Sequence, residues 1–497
     1  MLRMNEQIQF ELEDNQYDKL YDLLVPKDNK YRIINENMDF SFIYDVIKNK
    51  YCLDNGRDAV SPIVLLKYLI VKDLEHLSDE DVVRHSLYDL SIKYFLGMKV
   101  DDTKLINPST LTKFRKLRLK DNDLLQKLLK ETTKLGIKKG KINIHTLIVD
   151  STHTKAKYNS ISPREMLIQR SKELRKVVYS FDGEYMKEKF PKKREASGIL
   201  EDEMQYCEEL IETINKEELF KNNEKVQEKI RYLEEGIKDI KEKIEISYDE
   251  DARTGHKTAD TNFFGYKTHI GVTENGIAVA AVVTSGEKTD GEYLEELIEM
   301  ANENGMSIDE VIGDKAYSSK ENIDELNEKG IEVVSKLSSS VINGNRKKNH
   351  GFEFNKDAQM YQCPVGHLAT AKRKTGSGAE KCITYYFNIE KCRVCPQKDK
   401  CGIKEGQKTK TFSEKIKDPT HIKQMEFENS KKFQDEIKKR YVIEQSNAIL
   451  KNSHNYDVAR SKGISGLEIQ GAIALFCMNL KKILYASKPR NRHKEEK

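Results

Sequence analysis

Residues 142–150 read INIHTLIVD, and in this stretch the apolar pattern of the chain changes from helical to extended. Apolar and polar residues alternate at first, and the residues just before Asp150 are apolar on both faces of the strand. A strand that is apolar on both faces is typical of the buried centre of a sheet. The stretch therefore predicts a central strand that ends at Asp150, where α/β sheets place their functional groups.

The sequence downstream predicts the rest of this sheet. Two apolar strands, over 264–272 and 277–284, flank Asn275-Gly276, which is a hairpin-turn sequence. The elements that follow are a helix over 290–304, a strand over 311–313 that runs into Asp314, a helix over 320–329 and a strand over 331–336. The fold class is thus α/β with a mixed sheet, and two of its strands lead into an aspartate.

Residues 1–140, upstream of the sheet, are predicted to be a helical domain. Helices begin at Ser61-Pro62, at Ser78 and at Asn107-Pro108, each with a capping residue. The third of these helices places Leu111, Phe114 and Leu117 inward and carries the cations Lys113, Arg115, Lys116 and Arg118. Short helices with a basic last member are typical of a helix-turn-helix-like DNA-binding domain. The alternative is a helical bundle with a solvated Lys/Arg face.

A charged helical insertion is predicted over 160–250. Apolar residues recur at alternating steps of four and three, first over 200–214 and again over 226–244. These are the seams of two coiled-coil-like helices, and Lys221-Asn222-Asn223 lies between them. We expect an antiparallel helical hairpin. A pair of long helices that zip to a second protomer is the alternative.

A second insertion, over 340–425, is rich in Lys, Gly, Ser and Cys. The spacing of its cysteines predicts a structural zinc site, most simply formed by Cys363, Cys392, Cys395 and Cys401. His367 and Cys382 are substitute ligands. A metal would supply folding energy to a segment too polar to build a large core. The alternative is a loop with reduced thiols.

Composition excludes two classes of protein. The 497 residues include 86 Lys and Arg against 82 Asp and Glu, a net charge of +4, which leaves room only for local basic patches. No stretch approaches the roughly 18 apolar residues of a membrane span, and the acidic start is unlike a signal peptide. A membrane protein and a secreted disulfide scaffold are therefore excluded. Eight cysteines fit a reducing compartment such as the cytoplasm.

A third acid that accompanies Asp150 and Asp314 is predicted at Glu444. The final part of the chain, 428–487, is helical, and the tail 488–497 is expected to be disordered. Glu444 lies between Arg440 and Lys451, and the spacing places all three on one helix face. A carboxylate between two cations suits a metal ion next to phosphates. An ordinary salt-bridged surface helix is the alternative.

Taken together, these segments resemble the DDE-class transposases of bacterial insertion sequences, in the branch with a Tyr-Arg-Glu-Lys signature. The matching segments are 148–154, 312–317, 251–257, 263–269 and the spacing Arg440-x3-Glu444-x6-Lys451. One departure is that the position of the signature tyrosine is Ile437, so no tyrosine role is carried over. The resemblance covers most of the chain.

The resemblance implies a ribonuclease-H-like catalytic domain over 141–487 in which Asp150, Asp314 and Glu444 bind two Mg²⁺ (or Mn²⁺) ions. Such ions lie about 3.5–4 Å apart and serve in-line attack on a phosphodiester. The implied partners are the inverted-repeat ends of the element and target DNA, bound by a homodimer, with Arg440 and Lys451 on the phosphates. A DNA-facing edge is predicted at Arg253, His256, Lys257 and Lys267. The alternative is that these residues belong to a solvated loop.

Three functions remain open at this point. The first is a transposase that cleaves DNA and joins the cut strand to a target. The second is a metal nuclease of the same fold without strand transfer. The third is a DNA-binding derivative that has lost catalysis, against which the three acids argue.

Overall fold

The computed structural model describes residues 16–51, 59–158, 163–191, 200–221, 223–241, 249–256, 261–338, 341, 351–376, 381–398, 401, 403, 406–416 and 418–485. The predicted disordered tail, 488–497, lies outside these residues. The α-helices are α1 Gln16–Leu24, α2 Lys30–Asn37, α3 Phe42–Ile47, α4 Pro62–Leu74, α5 Asp79–Tyr88, α6 Leu90–Leu96, α7 Pro108–Lys113, α8 Leu124–Lys138, α9 Pro163–Lys189, α10 Leu200–Asn215, α11 Glu218–Lys221, α12 Glu224–Lys241, α13 Leu294–Glu303, α14 Lys320–Glu328, α15 Ile389–Arg393, α16 Pro419–Glu428, α17 Lys431–Glu436, α18 Tyr441–His454 and α19 Ile464–Tyr485.

The strands are β1 Thr146–Lys155, β2 Arg253–His256, β3 Asn262–Val272, β4 Ala278–Ser285, β5 Glu310–Ile312, β6 Glu332–Val334, β7 Glu353–Asn355, β8 Met360–Gln362, β9 Ala371–Thr375, β10 Cys382–Phe387 and β11 Lys410–Lys415. Turns of 3-10 helix cover Lys48–Lys50, Gly291–Tyr293 and Ile437–Arg440, and a π-helical turn covers Phe114–Leu119.

Contacts divide the chain into two compact units. Unit 1 contains residues 1–144, 150–307 and 442–497, and unit 2 contains residues 145–149 and 308–441. Within the described part of the chain, no helix combines the length and hydropathy that crossing a bilayer requires.

The six-stranded sheet has the order β2-β3-β1-β5-β6, and β4 also pairs with β3. β5 runs parallel to both β1 and β6, whereas β3 is antiparallel to β2 and β4. The β3–β4 hairpin turns at Gly276, whose φ of 71° favours glycine, and Gly276 N donates to Thr273 O at 2.7 Å. The mixed α/β sheet, the Asn-Gly hairpin and the alternation of strands with α13 and α14 are confirmed.

β1 differs from its predicted extent at both ends. It begins at Thr146 and continues for five residues past Asp150 to Lys155, so the expectation that the strand ends at Asp150 is wrong. The physical reason is a set of partners distant in sequence. Ala156 N donates to Phe264 O at 2.9 Å, and Lys155 N donates to Asp457 O at 2.9 Å. Asp150 therefore lies inside a strand.

The helix starts of the N-terminal part are confirmed at Ser61, Ser78 and Asn107. Leu111 and Phe114 are buried as expected, but Leu117 is 60% exposed and Leu119 is buried instead. The reason is the π-helical turn over Phe114–Leu119, which shifts the helix faces after Phe114. The inward position predicted for Leu117 is therefore wrong.

The N-terminal helices share their core with the C-terminal helix. Side chains of α2 to α8 pack in one hydrophobic cluster with Ile469, Ala472, Phe476 and Leu480 of α19. Asn479 of α19 is fully buried and bonds to both backbone atoms of Ala278. The C-terminal helix thus completes a core that begins more than 400 positions earlier in the sequence.

The insertion over 160–250 contains more helix than the two predicted seams. Cys207, Ile211 and Ile214 of α10 and Val226, Ile230, Leu233 and Ile237 of α12 are buried in one core, as the seams predict. The long helix α9 packs against both α10 and α12 and adds Leu167, Leu174 and Val178 to that core. A hairpin of two helices is therefore an incomplete description.

Candidate functional site

Asp150 lies in β1, two residues after the last residue that pairs with β5. Ile148 pairs with Ile312 in parallel register, and Asp150 and Asp314 each follow that pair by two positions. The Asp150 side chain is half-buried, and Asn447 Nδ2 of α18 donates to Asp150 Oδ2 at 3.1 Å. This contact fixes one carboxylate oxygen of Asp150 against helix α18.

Asp314 lies two residues after the end of β5 and is held by two hydrogen bonds. Its Oδ1 accepts from Ala316 N at 2.8 Å, and its backbone oxygen accepts from Ser335 Oγ at 2.5 Å. A Cβ on the preceding residue, Gly313, would lie 3.1 Å from Val149 Cγ2. The residues that immediately precede Asp150 and Asp314 are therefore in close contact, and a larger side chain at Gly313 would disturb it.

Glu444 lies in the first turn of α18 and is exposed to solvent. Asn447 follows at i+3 and Lys451 at i+7, spacings that repeat on one face of an α-helix. The residue that holds Asp150 therefore lies on the same helix face as Glu444 and Lys451. Arg440 comes before α18, in the 3-10 turn Ile437–Arg440, so only Glu444 and Lys451 of the predicted stripe belong to the α-helix itself.

Lys451 contacts β1 on the carboxyl-terminal side of Asp150. Its Nζ lies 3.3 Å from Nε2 of His153, and the His153 ring lies 4.9 Å from the ring of Phe263. Asp150 and Lys451 therefore both take part in contacts between β1 and α18.

Contacts with the β3–β4 hairpin and α19 hold α18 in position. Ser446 Oγ lies 2.8 Å from Lys482 Nζ, and Lys482 Nζ donates to Gly276 O at 2.5 Å. Burial lowers the pKa of Lys482 to about 8. At the end of α18, His454 Nδ1 lies 2.5 Å from Asp73 Oδ2, and both side chains are buried. These contacts give Glu444, Asn447 and Lys451 a rigid support.

The cations predicted on the third N-terminal helix divide into two kinds. Lys113 and Lys116 are exposed. Arg115 pairs with Asp79, and Arg118 donates to Lys50 O and lies 4.3 Å above the Tyr51 ring. Burial raises the pKa of Asp79, but the hydrogen bonds from Arg115 and Lys72 outweigh this effect and lower it to about 2. Lys113 and Lys116 are thus the more accessible of the four cations.

The predicted edge around β2 and β3 divides similarly. Arg253 donates to the backbone oxygens of Glu250 and Ala252, at 2.5 and 2.8 Å. Lys267 pairs with Asp290 at 3.0 Å and is largely buried, whereas His256 is exposed. Lys257 lies outside the described residues. A role for this edge in DNA binding stays a prediction.

The candidate site offers carboxylate and amide oxygens as donors for a metal ion. Among the residues that the structure describes, no three His, Cys, Asp or Glu side chains stand close enough together to hold an ion. The donor chemistry nevertheless suits Mg²⁺, which prefers carboxylate and amide oxygens. One further observation supports this fit, because Asn447 Oδ1, next to Asp150, is buried without a hydrogen-bond partner.

Two residues of this candidate site, Asn447 and His153, were not predicted from the sequence. Both contacts join positions almost 300 residues apart, which helical or strand periodicity cannot reveal. The one available signal for Asn447 was its spacing, three residues after Glu444 and four before Lys451.

Comparison with known proteins gives two family matches. Residues 19–117 match a family model described as Transposase domain (DUF772), and residues 144–480, more than half of the chain, match one described as Transposase DDE domain. No curated protein matches the chain. A cryo-EM structure of a piggyBac transposase synaptic complex with hairpin DNA is similar, with 9% identity and a TM-score of 0.32, over 92% of this chain and 74% of that chain.

Proposed function

Since this chain belongs to the DDE-class insertion-sequence transposases, a DNA transposase function is established at the level of the family, and we propose that it cleaves the ends of its element and transfers the cut strand into target DNA. We assign catalysis to Asp150, Asp314 and Glu444. The observation that supports this most strongly is the register of β1 and β5, since Asp150 and Asp314 follow the paired Ile148 and Ile312 by equal steps.

The proposed fold of the catalytic domain is ribonuclease-H-like. The strand path β4-β3-β1-β5-β6 supports it, with an antiparallel hairpin at one end and parallel strands at the other. In this arrangement the central strand and its parallel neighbour supply one acid each, and a helix after the last strand supplies the third.

The proposed cofactor is Mg²⁺ or Mn²⁺, held by the three carboxylates with Asn447 Oδ1 as a neighbouring oxygen donor. When bound, such ions activate the attacking oxygen and stabilise the leaving oxygen of a phosphodiester. We propose that Asp150, Asp314 and Glu444 converge on shared ions in the DNA complex.

The chain's own residues have separate tasks in this proposal. Asn447 orients the Asp150 carboxylate through its 3.1 Å hydrogen bond. Lys451 and Arg440 neutralise phosphates of the element's end, and Lys113 and Lys116 contact DNA from the N-terminal helices. A homodimer on DNA and a cytoplasmic location stay predictions, and the mass of the protein–DNA complex tests the first.

Asp150→Asn, Asp314→Asn and Glu444→Gln test the assignment with almost no change in side-chain volume. Each should reduce Mg²⁺-dependent cleavage of end DNA by at least about a thousandfold, since removing one central catalytic group typically costs that much. DNA binding should be retained. Asp309→Asn, an exposed acid that pairs with His145 and precedes Asp314 by five residues, is the matched control.

The same assay separates the three functions. Cleavage followed by joining of the cut end to a second duplex supports the transposase proposal. Cleavage without joining favours the plain nuclease, and binding without cleavage by the unmodified chain favours the inactive derivative. Full cleavage by the Asp150→Asn variant would refute the assigned acids.

A further inference from the structure

The transposase proposal leaves the four predicted zinc ligands of unit 2 without a role. Cys363 and Cys392 are 29 positions apart, yet both pack against the same small core of Ala369, Tyr385, Phe387 and Phe412. The fold therefore brings together two cysteines that the sequence separates widely. Cys395 follows Cys392 by one helical turn, just after α15.

A tight turn closes around the Cys363 sulfur. Cys363 N donates to His367 O and Gly366 N donates to Cys363 O, both at 2.8 Å. His367 N then donates to Cys363 Sγ at 3.4 Å. Gly366 has a φ of 94°, a conformation that favours glycine, so the residue type suits the turn.

The Cys392–Cys401 segment repeats this arrangement. Cys395 N donates to Cys392 O at 3.3 Å, and Gln397 N donates to Cys395 Sγ at 3.4 Å. Cys401 N donates to Gln397 O at 3.1 Å, so Cys401 lies one turn farther on. Backbone N–H groups aimed at sulfur stabilise the thiolate, which is the form that binds metal.

The electrostatics of the cluster also favour a cation. The thiols of Cys363, Cys395 and Cys401 are neighbours of Cys392 and interact with it electrostatically. Thiolates that disfavour one another become mutually compatible when a divalent cation lies among them. The hydrophobic core of this insertion is small, so a bound metal would add folding energy that the side chains do not supply.

We propose that Cys363, Cys392, Cys395 and Cys401 bind one Zn²⁺ ion in a tetrahedral structural site. Four S–H bonds break, four S–Zn bonds form, and the four protons pass to solvent with no change of oxidation state. Since no three ligand-type side chains of the described residues are grouped at coordination distance, the proposal requires the sulfurs to move closer together when the ion binds. The site is separate from the carboxylates, and its test does not depend on DNA cleavage.

The test is the zinc content of the full-length protein, purified under reducing conditions and measured by mass spectrometry of the metal. We expect one zinc per chain, and loss of most of it in Cys363→Ser, Cys392→Ser, Cys395→Ser and Cys401→Ser. Cys382→Ser is the matched control. That thiol lies in β10 and bonds to Thr375 Oγ1 at 3.1 Å, and its variant should keep the zinc.

A second measurement needs no substitution. Cobalt in place of zinc should give the sulfur-to-cobalt charge-transfer bands and the intense visible bands of a tetrahedral thiolate site. Protein without stoichiometric zinc and without these bands would overturn the proposal. Zinc that is lost in His367→Ala but kept in Cys401→Ser would overturn the four-cysteine ligand set. The Asp150→Asn variant must keep its zinc, which separates this site from the catalytic proposal.

Discussion

Asn447 supports the proposed active site through a single hydrogen bond. Its Nδ2 holds Asp150 Oδ2, and its position on α18 places it on the same face as Glu444. Residues that orient a metal ligand in this way commonly affect metal affinity and activity about 10- to 100-fold when they are removed. Asn447 is therefore a positioning residue for Asp150.

Replacing Asn447 by Ala should lower the rate of end cleavage about 10- to 100-fold and raise the Mg²⁺ concentration needed for half-maximal rate. The measurement is a Mg²⁺ titration of cleavage kinetics. Asn452→Ala, an exposed asparagine of the same helix, is the control and should behave like the unmodified chain. An unchanged Mg²⁺ requirement in Asn447→Ala would contradict the role of Asn447.

Glu310 gives the stability of unit 2 a dependence on pH. Burial, followed by the nearby Glu436 carboxylate, raises the pKa of Glu310 to about 7. The unfolded chain loses this proton near the ordinary glutamate pKa of about 4.3. Between these two values the folded form holds a proton that the unfolded form has released, so this contribution to stability falls as the pH rises toward 7.

The Glu310→Gln variant removes that titration. The unmodified chain should lose thermal stability relative to the variant as the pH rises from 5 to 8, measured as the melting temperature of each protein across the range. Glu353→Gln, on an exposed strand of the same unit, should leave the pH profile unchanged. Parallel profiles for Glu310→Gln and the unmodified chain would show that Glu310 has an ordinary pKa.

At the scale of elements, α19 links the helical core to the sheet through one polar residue. Asn479 is fully buried. Its Oδ1 accepts from Ala278 N at 2.8 Å, and its Nδ2 donates to Ala278 O at 2.7 Å and to Thr132 Oγ1 at 2.9 Å. One amide therefore satisfies groups of β4 and α8 together.

Asn479→Leu should destabilise unit 1 by about 2–4 kcal/mol, since it leaves buried backbone groups of Ala278 without partners. Urea unfolding followed by circular dichroism measures this loss. Asn452→Leu, at an exposed position, should change stability by less than about 0.5 kcal/mol. Equal stability of the two variants would mean that water or another group replaces the Asn479 amide.

At the scale of the whole molecule, the features predicted correctly from the sequence are those that depend on residues close together along the chain. The cap at Ser78 and the turn at Gly276 depend on residues within a few positions, and both are confirmed. The seams of α10 and α12 are confirmed because periodicity reports burial directly. Local chemistry was therefore sufficient to identify most elements and the α/β fold class.

The features that the sequence did not predict depend on distant partners. β1 extends to Lys155 because Phe264 and Asp457 provide hydrogen bonds for it. Leu117 faces solvent because a π-helical turn, which has no clear sequence pattern, shifts the helix face. In the candidate site, the acids follow from strand position and family resemblance, whereas Asn447 becomes visible only when α18 lies against β1.

The central claim, that Asp150, Asp314 and Glu444 share divalent ions, is most directly tested by iron-mediated cleavage of the polypeptide. Fe²⁺ in place of Mg²⁺, with ascorbate and peroxide, cuts the backbone next to bound metal, and sequencing the fragments of the DNA-bound protein locates the cuts. We predict cuts beside all three acids, and loss of all three sets in Asp150→Asn. Cuts near Asp150 and Asp314 with none near Glu444 would contradict the shared site.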